Sequence, residues 1–122
     1  MAVRDATGGA APRNRLCVHT ITTKPWDIDT AIDEYARAGV GGITVWRNAF
    51  EARTPEEVGR RARDAGLAVV STCRGGFFPG VDADARRRAI EDNRTAILET
   101  EQVGAPHIVL VCGADPRQPL ED

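Results

Sequence analysis

His19, Trp46, Arg47, Cys73, Arg74 and Phe77 are the side chains of this sequence best equipped for chemistry on a small ligand. Histidine can hydrogen-bond a hydroxyl or exchange a proton near neutral pH. Arg47 and Arg74 can each grip a carboxylate or phosphate bidentately; solvent or an Asp partner would occupy them equally well. Trp46 offers a flat apolar face that suits the C–H side of a sugar ring, and the same face would fill a core. Phe77 and Phe78 lie in a Gly-rich stretch, residues 73–80, which reads as a loop that closes over a pocket or tucks its rings beneath itself. Cys73 and Cys112 suggest nucleophiles, but no His accompanies either in sequence, so both are read as small pocket or core residues. A metal held by His19, Cys73 and Cys112 would lack any acidic or second His ligand. The residues therefore assign substrate binding to the six side chains above, and no catalytic residue and no metal ligand. Arg74-Gly75-Gly76 lacks the spacing of a phosphate-binding P-loop.

Those candidates need a scaffold, and the sequence repeats one. Helix-like segments end in Ala38-Gly39-Val40, Ala65-Gly66-Leu67 and Val103-Gly104-Ala105. Glycine after a helix supplies a left-handed turn without steric cost. Each join leads into a β-rich run: residues 42–46, 67–72 and 107–112. Residues 16–20 form a similar run with no helix before it. The third and fourth runs are nearly continuously apolar, as strands covered on both faces should be. Thr54-Pro55-Glu56-Glu57 is a capping box with Pro at the first helical position. Asp27 reads as the cap of a helix with Ile28, Ala31, Ile32, Tyr35 and Ala36 on one face. A third helix begins near Asp82 or Asp84. Its expected buried stripe is Ala89, Ile90, Ile97 and Val103, with Asn93 as a buried amide satisfied by backbone.

The order is β-α-β-α-β-α-β, an α/β chain of parallel units. Flavodoxin-like sheets and (β/α)₈ barrels both use such units. After the fourth run, Pro119 with Glu121 and Asp122 reads as the first turn of a further helix. A complete barrel takes ~250 residues, and this chain has 122. The expectation is the N-terminal half of a TIM (β/α)₈ barrel over residues 15–122, preceded by a loose tail over residues 1–14. Barrel sites lie at the C-terminal strand ends, which gathers the six candidates on one face. Alternation along the strands points Thr44 and Trp46 into the barrel and Ile43 and Val45 toward the helices. Cys17 and His19 point one way, Leu16 and Val18 the other. His107 starts the fourth strand, at the opposite end, and is read as structural.

Composition narrows the function classes. A hydrophobic share of 42% and a charged share of 28% are ordinary for one globular domain. A net charge of −2 gives no sign of nucleic acid or an anionic membrane. Lys24 stands alone among 16 basic residues, the rest being Arg, which reads as a solvated face. No apolar run approaches the ~20 residues of a membrane span. The N-terminus lacks the apolar stretch of a signal peptide, and three cysteines without a C-x-x-C pair build no disulfide framework. A cytoplasmic protein is expected.

From Leu16 to Asp122 the chain resembles the N-terminal half of the xylose isomerase-like TIM barrels, the sugar phosphate isomerase/epimerase group. The residues that carry the likeness are Leu16-Cys17-Val18-His19-Thr20, the run from Ala38-Gly39-Val40 through Ile43-Thr44-Val45-Trp46-Arg47, Gly66-Leu67-Ala68-Val69-Val70-Ser71, and Asp92-Asn93-Arg94-Thr95-Ala96-Ile97 through Gly104-Ala105. The resemblance implies an enzyme that isomerises, epimerises or dehydrates a sugar or cyclitol. It also implies a divalent metal (Mn, Mg, Co or Zn) that polarises substrate oxygens while a side chain moves the proton. In that family most ligands sit on later strands, so none is assigned here and the chain alone is expected to be inactive. Closing the barrel would take a complementary C-terminal half or self-association. The alternative is a non-catalytic, stand-alone α/β module that binds a small ligand or a protein.

Overall fold

The computed structural model describes residues 12–117. In chain order it contains β1 (Cys17–His19), α1 (Ile28–Arg37), β2 (Gly42–Trp46), α2 (Pro55–Asp64), β3 (Ala68–Gly76), α3 (Ala83–Val103) and β4 (Ile108–Val111). Short 3-10 turns, Thr20–Thr23 and Arg47–Glu51, follow β1 and β2. A further turn, Arg13–Arg15, precedes β1, and the Arg13 guanidinium donates to the Ala38 carbonyl at 3.3 Å. The remainder of the expected tail, residues 1–11, lies outside the described residues, as does the expected helical turn at Pro119.

The sheet runs β1-β2-β3-β4 with every pairing parallel. That order decides between the two architectures open to the sequence. A doubly wound sheet reverses its strand order at a switch point, whereas a barrel lays strands side by side in chain order. The chain is thus a partial α/β barrel unit, four consecutive staves of the N-terminal half.

The helices begin where their caps dictate. The Asp27 carboxylate accepts from the Thr30 amide at 2.7 Å. Thr54 and Glu57 form the reciprocal capping box, each side chain accepting from the other's backbone N–H. Asp82 caps α3 through the Ala85 amide at 2.7 Å. The Thr30 backbone amide holds the Asp27 carboxyl below its ordinary range, and the Thr54 amide does the same for Glu57. Carboxyls that ionise more readily in the folded chain stabilise it above the ordinary carboxylate range. That contribution is lost as acid carries the pH down through the lowered values. Asn caps as well as Asp but does not titrate there. Asp27→Asn is therefore expected to flatten the loss of stability as the pH falls through and below the ordinary carboxylate range, read from circular dichroism melts. A slope identical to that of the parent chain would contradict the assignment.

Between sheet and helices lies one core. Ile43 and Val45 of β2 meet Ile32 and Tyr35 of α1, Val58 and Ala62 of α2, and Val103 at the end of α3. Thr44 faces the other way, toward the barrel interior, as alternation requires. Gly59, awkward in a helix on propensity grounds, has a packing reason: a Cβ there would stand 2.2 Å from the Val103 carbonyl oxygen. α2 and α3 touch backbone to backbone at that point.

Two expectations need correction. Residues 73–76 are strand, not loop. β3 runs through Gly75 and Gly76, which pair with Leu110 and Val111 of β4. Glycine is required because a Cβ on Gly76 would come within 2.0 Å of the Val111 carbonyl oxygen. Asn93 secures this end from α3: its side-chain oxygen accepts from the Gly76 N–H at 2.6 Å and its amide donates to the Gly76 carbonyl at 2.7 Å. The second correction concerns the buried face of α3, which is Asn93, Ala96, Thr100 and Val103. Ile90 and Ile97 face outward, Ile97 with 59% exposure, because the helix meets glycine and Thr72 on β3 and only small or polar side chains fit there. β4 is likewise uncovered on its outer side, with Leu110 52% exposed. No helix among the described residues is long and apolar enough to cross a membrane.

Candidate functional site

At the C-terminal ends of β2 and β3 opens a cleft of about 580 Å³. Trp46, Arg47, Cys73, Arg74 and Phe77 all line it. His19 stands at its edge, joined to it by the Trp46 indole, whose N–H donates to His19 Nδ1 at 3.2 Å. Backbone contacts fix this pair. The Trp46 amide donates to Thr20 Oγ1 at 3.0 Å, and the Tyr35 hydroxyl donates to the His19 carbonyl at 3.3 Å. Below them, Cys17, Thr44 and Ser71 form a polar row across three strands, with contacts of 3.3 Å and 2.8 Å.

The two arginines part company. Arg47 Nε donates to Glu99 at 2.6 Å, and its two terminal nitrogens donate to the Asp92 carboxylate at 3.1 and 3.2 Å. Glu99, more than any other group, pushes the Arg47 pKa further up. This fork is fully engaged and braces the wall of the cleft against α3. Arg74 is exposed, and no carboxylate among the described residues lies within ion-pairing reach of it. Its guanidinium stacks 4.2 Å from the Phe77 ring centre and 6.0 Å from that of Trp46. Aromatic faces hold a cation in place without neutralising it. Cys73 is only 3% exposed, and burial pushes its thiol pKa up against the opposing pull of Arg74. It remains a thiol at neutral pH and shapes the cleft.

Glu99 and Asp92 escaped the sequence reading. The signal available was their seven-residue separation, two helical turns, which places both on one face of α3. Their partner lies 52 and 45 residues earlier in the chain, where no local pattern points.

Residues 32–122 match the family described as xylose isomerase-like TIM barrel. The chain belongs to that family. The xylose isomerase-like TIM barrels cover sugar isomerase- and epimerase-type enzymes and often use divalent metals. Among solved structures the chain is similar to protein SMc04130 from Sinorhizobium meliloti 1021, with 36% identity and a TM-score of 0.74. The match covers 84% of this chain and 39% of that one, so the chain spans well under half the length of this relative. It also resembles a xylose isomerase-like TIM barrel/4-hydroxyphenylpyruvate dioxygenase fusion protein, at 20% identity and a TM-score of 0.61, over 77% of this chain and 15% of the other. At that identity the likeness speaks for the fold alone. No curated protein matches the chain.

Xylose isomerase-like proteins that use a metal need several donors converging on one point. Among the described residues no group of three His, Cys, Asp or Glu side chains could hold one. Glu99 is committed to Arg47, Nδ1 of His19 to Trp46, and Cys73 keeps its proton. The residues described here therefore do not fit a resident metal.

Proposed function

We propose that this chain is the N-terminal part of a sugar phosphate isomerase/epimerase-like protein and supplies one wall of its substrate site. The substrate is an anionic sugar or cyclitol. Its phosphate or carboxylate meets Arg74, and the C–H face of its carbon skeleton lies against Trp46, with Phe77 and the Cys73 thiol closing the side. Arg47 holds the wall and His19 contributes from the rim. Arg74 carries this reading: it is a guanidinium pinned on two aromatic rings at the mouth of the cleft, with its charge unmet by any described carboxylate. The proton transfer that completes catalysis, and the metal that assists it in the family, belong to residues beyond those described. A complementary C-terminal half-barrel or a second copy of the chain provides them. The bare outer side of β4 supports such a partner, and parallel strands with open edges invite pairing. The protein works in the cytoplasm, on a small molecule and not on nucleic acid or membrane.

Calorimetric titration tests the site. Fructose 6-phosphate is expected to bind the chain more tightly than fructose, and Arg74→Ala is expected to remove that preference. One charge-assisted contact corresponds to a loss of about tenfold or more in affinity. Equal affinity for the two sugars in the unaltered chain would refute the anionic substrate. The chain alone is expected to show no turnover; measurable epimerisation of a ketose by it would place the catalytic groups here after all.

A further inference from the structure

We propose that Trp46 is a positioning residue that fixes His19 as a neutral imidazole with its hydrogen on Nε2, so that His19 offers a hydrogen-bond donor to a ligand oxygen and is withdrawn from metal coordination. The role toward a ligand rests on the reading of the cleft as a sugar site; the hydrogen placement does not.

An indole N–H only donates. Its 3.2 Å contact with His19 Nδ1 is a bond only if Nδ1 presents a lone pair. A neutral imidazole carries a single ring hydrogen, which must then sit on Nε2. Nε2 has no partner among the described residues, so the donor is open. A metal requires an imidazole lone pair. That of Nδ1 is taken by Trp46, and Nε2 carries the hydrogen. Coordination through Nε2 would drive the hydrogen to Nδ1, facing the indole N–H head on. The pair is also held from both sides. His19 is opposite Thr44 in the β1–β2 register, two residues before Trp46. The Trp46 amide is tied to Thr20, and the His19 carbonyl accepts from Tyr35. A ring hydrogen-bonded in this way is oriented as well as tautomerically fixed, as the outer-shell partners of functional histidines do.

The chain contains two histidines, His19 and His107. His107→Gln, away from the cleft, therefore leaves a single imidazole to read. Long-range proton–nitrogen correlation spectra of the uniformly ¹⁵N-labelled full chain are expected to show His19 Nε2 as the protonated nitrogen and Nδ1 as the lone-pair nitrogen. Adding Zn²⁺ alone should leave both signals in place. In Trp46→Phe, Nδ1 loses its donor, its signal should shift, and Zn²⁺ should then move the His19 resonances. A protonated Nδ1 in the unaltered ring pair would overturn the proposal, and so would Zn²⁺ shifting His19 while Trp46 is present. Should Trp46→Phe fail to fold, the tautomer and Zn²⁺ readings on the His107→Gln chain still decide. Failure of fructose 6-phosphate to bind would count against the site reading and leave the tautomer result standing, so the two are told apart.

Discussion

Ile43→Ala is expected to lower the unfolding free energy by about 2–5 kcal/mol, the range for truncating a fully enclosed aliphatic side chain. Ile43 has no exposed surface and sits in the cluster that joins β2 to all three described helices. Removing its outer carbons forfeits their burial and leaves a hole that the surrounding backbone can only partly close. Small domains are stable by about 5–15 kcal/mol in total, so the loss is a large share. Ile97→Ala is the control. The residue types match, but Ile97 is 59% exposed, and its replacement should change stability by no more than about 0.5 kcal/mol. Urea titrations of the two variants beside the parent chain make the comparison. Equal losses would mean that the inner and outer faces have been assigned wrongly.

Asn93→Ala should cost about 2–4 kcal/mol, because it strands two backbone groups at once. The Gly76 N–H and carbonyl both rely on this one amide, at 2.6 and 2.7 Å, and a third bond reaches the Ala89 carbonyl at 2.8 Å. Alanine replaces none of them and admits no large solvent channel between α3 and β3. Asn93→Asp tests the same point with almost no change of shape. It keeps the acceptor for the Gly76 N–H but swaps both donations for repulsion between oxygens. The loss should therefore match or exceed that of alanine. Because Gly76 leads directly into Phe77, which stacks on Arg74, both variants should also weaken the binding of fructose 6-phosphate. Aspartate tolerated at parental stability would show that Asn93 does not clamp the strand.

Much of this was legible from local rules. The limits of β2, the Asp27 cap, the capping box at Thr54 and the alternation of Ile43, Thr44, Val45 and Trp46 each depend on neighbours within a few residues. What escaped depends on distant partners. Glycine disfavours strands, so the sequence alone ends β3 before Gly75; only the tight approach of Val111 makes glycine the residue that extends it. Ile90 and Ile97 resemble a core stripe by hydropathy, yet the strand beneath α3 has room only for Ala96, Thr100 and Asn93. At the site, five of the six chosen side chains share the cleft because strand ends converge. The distinction between a committed Arg47 and an open Arg74 came from α3, which no spacing rule connects to β2.

The polar row inside the barrel has a parity of its own. Cys17, Thr44 and Ser71 each bring one hydrogen, and the row uses two of them in its internal contacts. One hydrogen is left over: on Ser71 or on Cys17 when the row runs in one direction, or on Thr44 when both ends donate to it. Because the Thr44 hydroxyl can give as well as receive, the row can also point as a whole toward Cys17 or toward Ser71, and changing its direction needs only rotations about the side-chain bonds. Whichever end first meets an acceptor takes the spare hydrogen and sets the direction of the other two, so a group arriving beside β1 is felt at β3 without any displacement of the backbone.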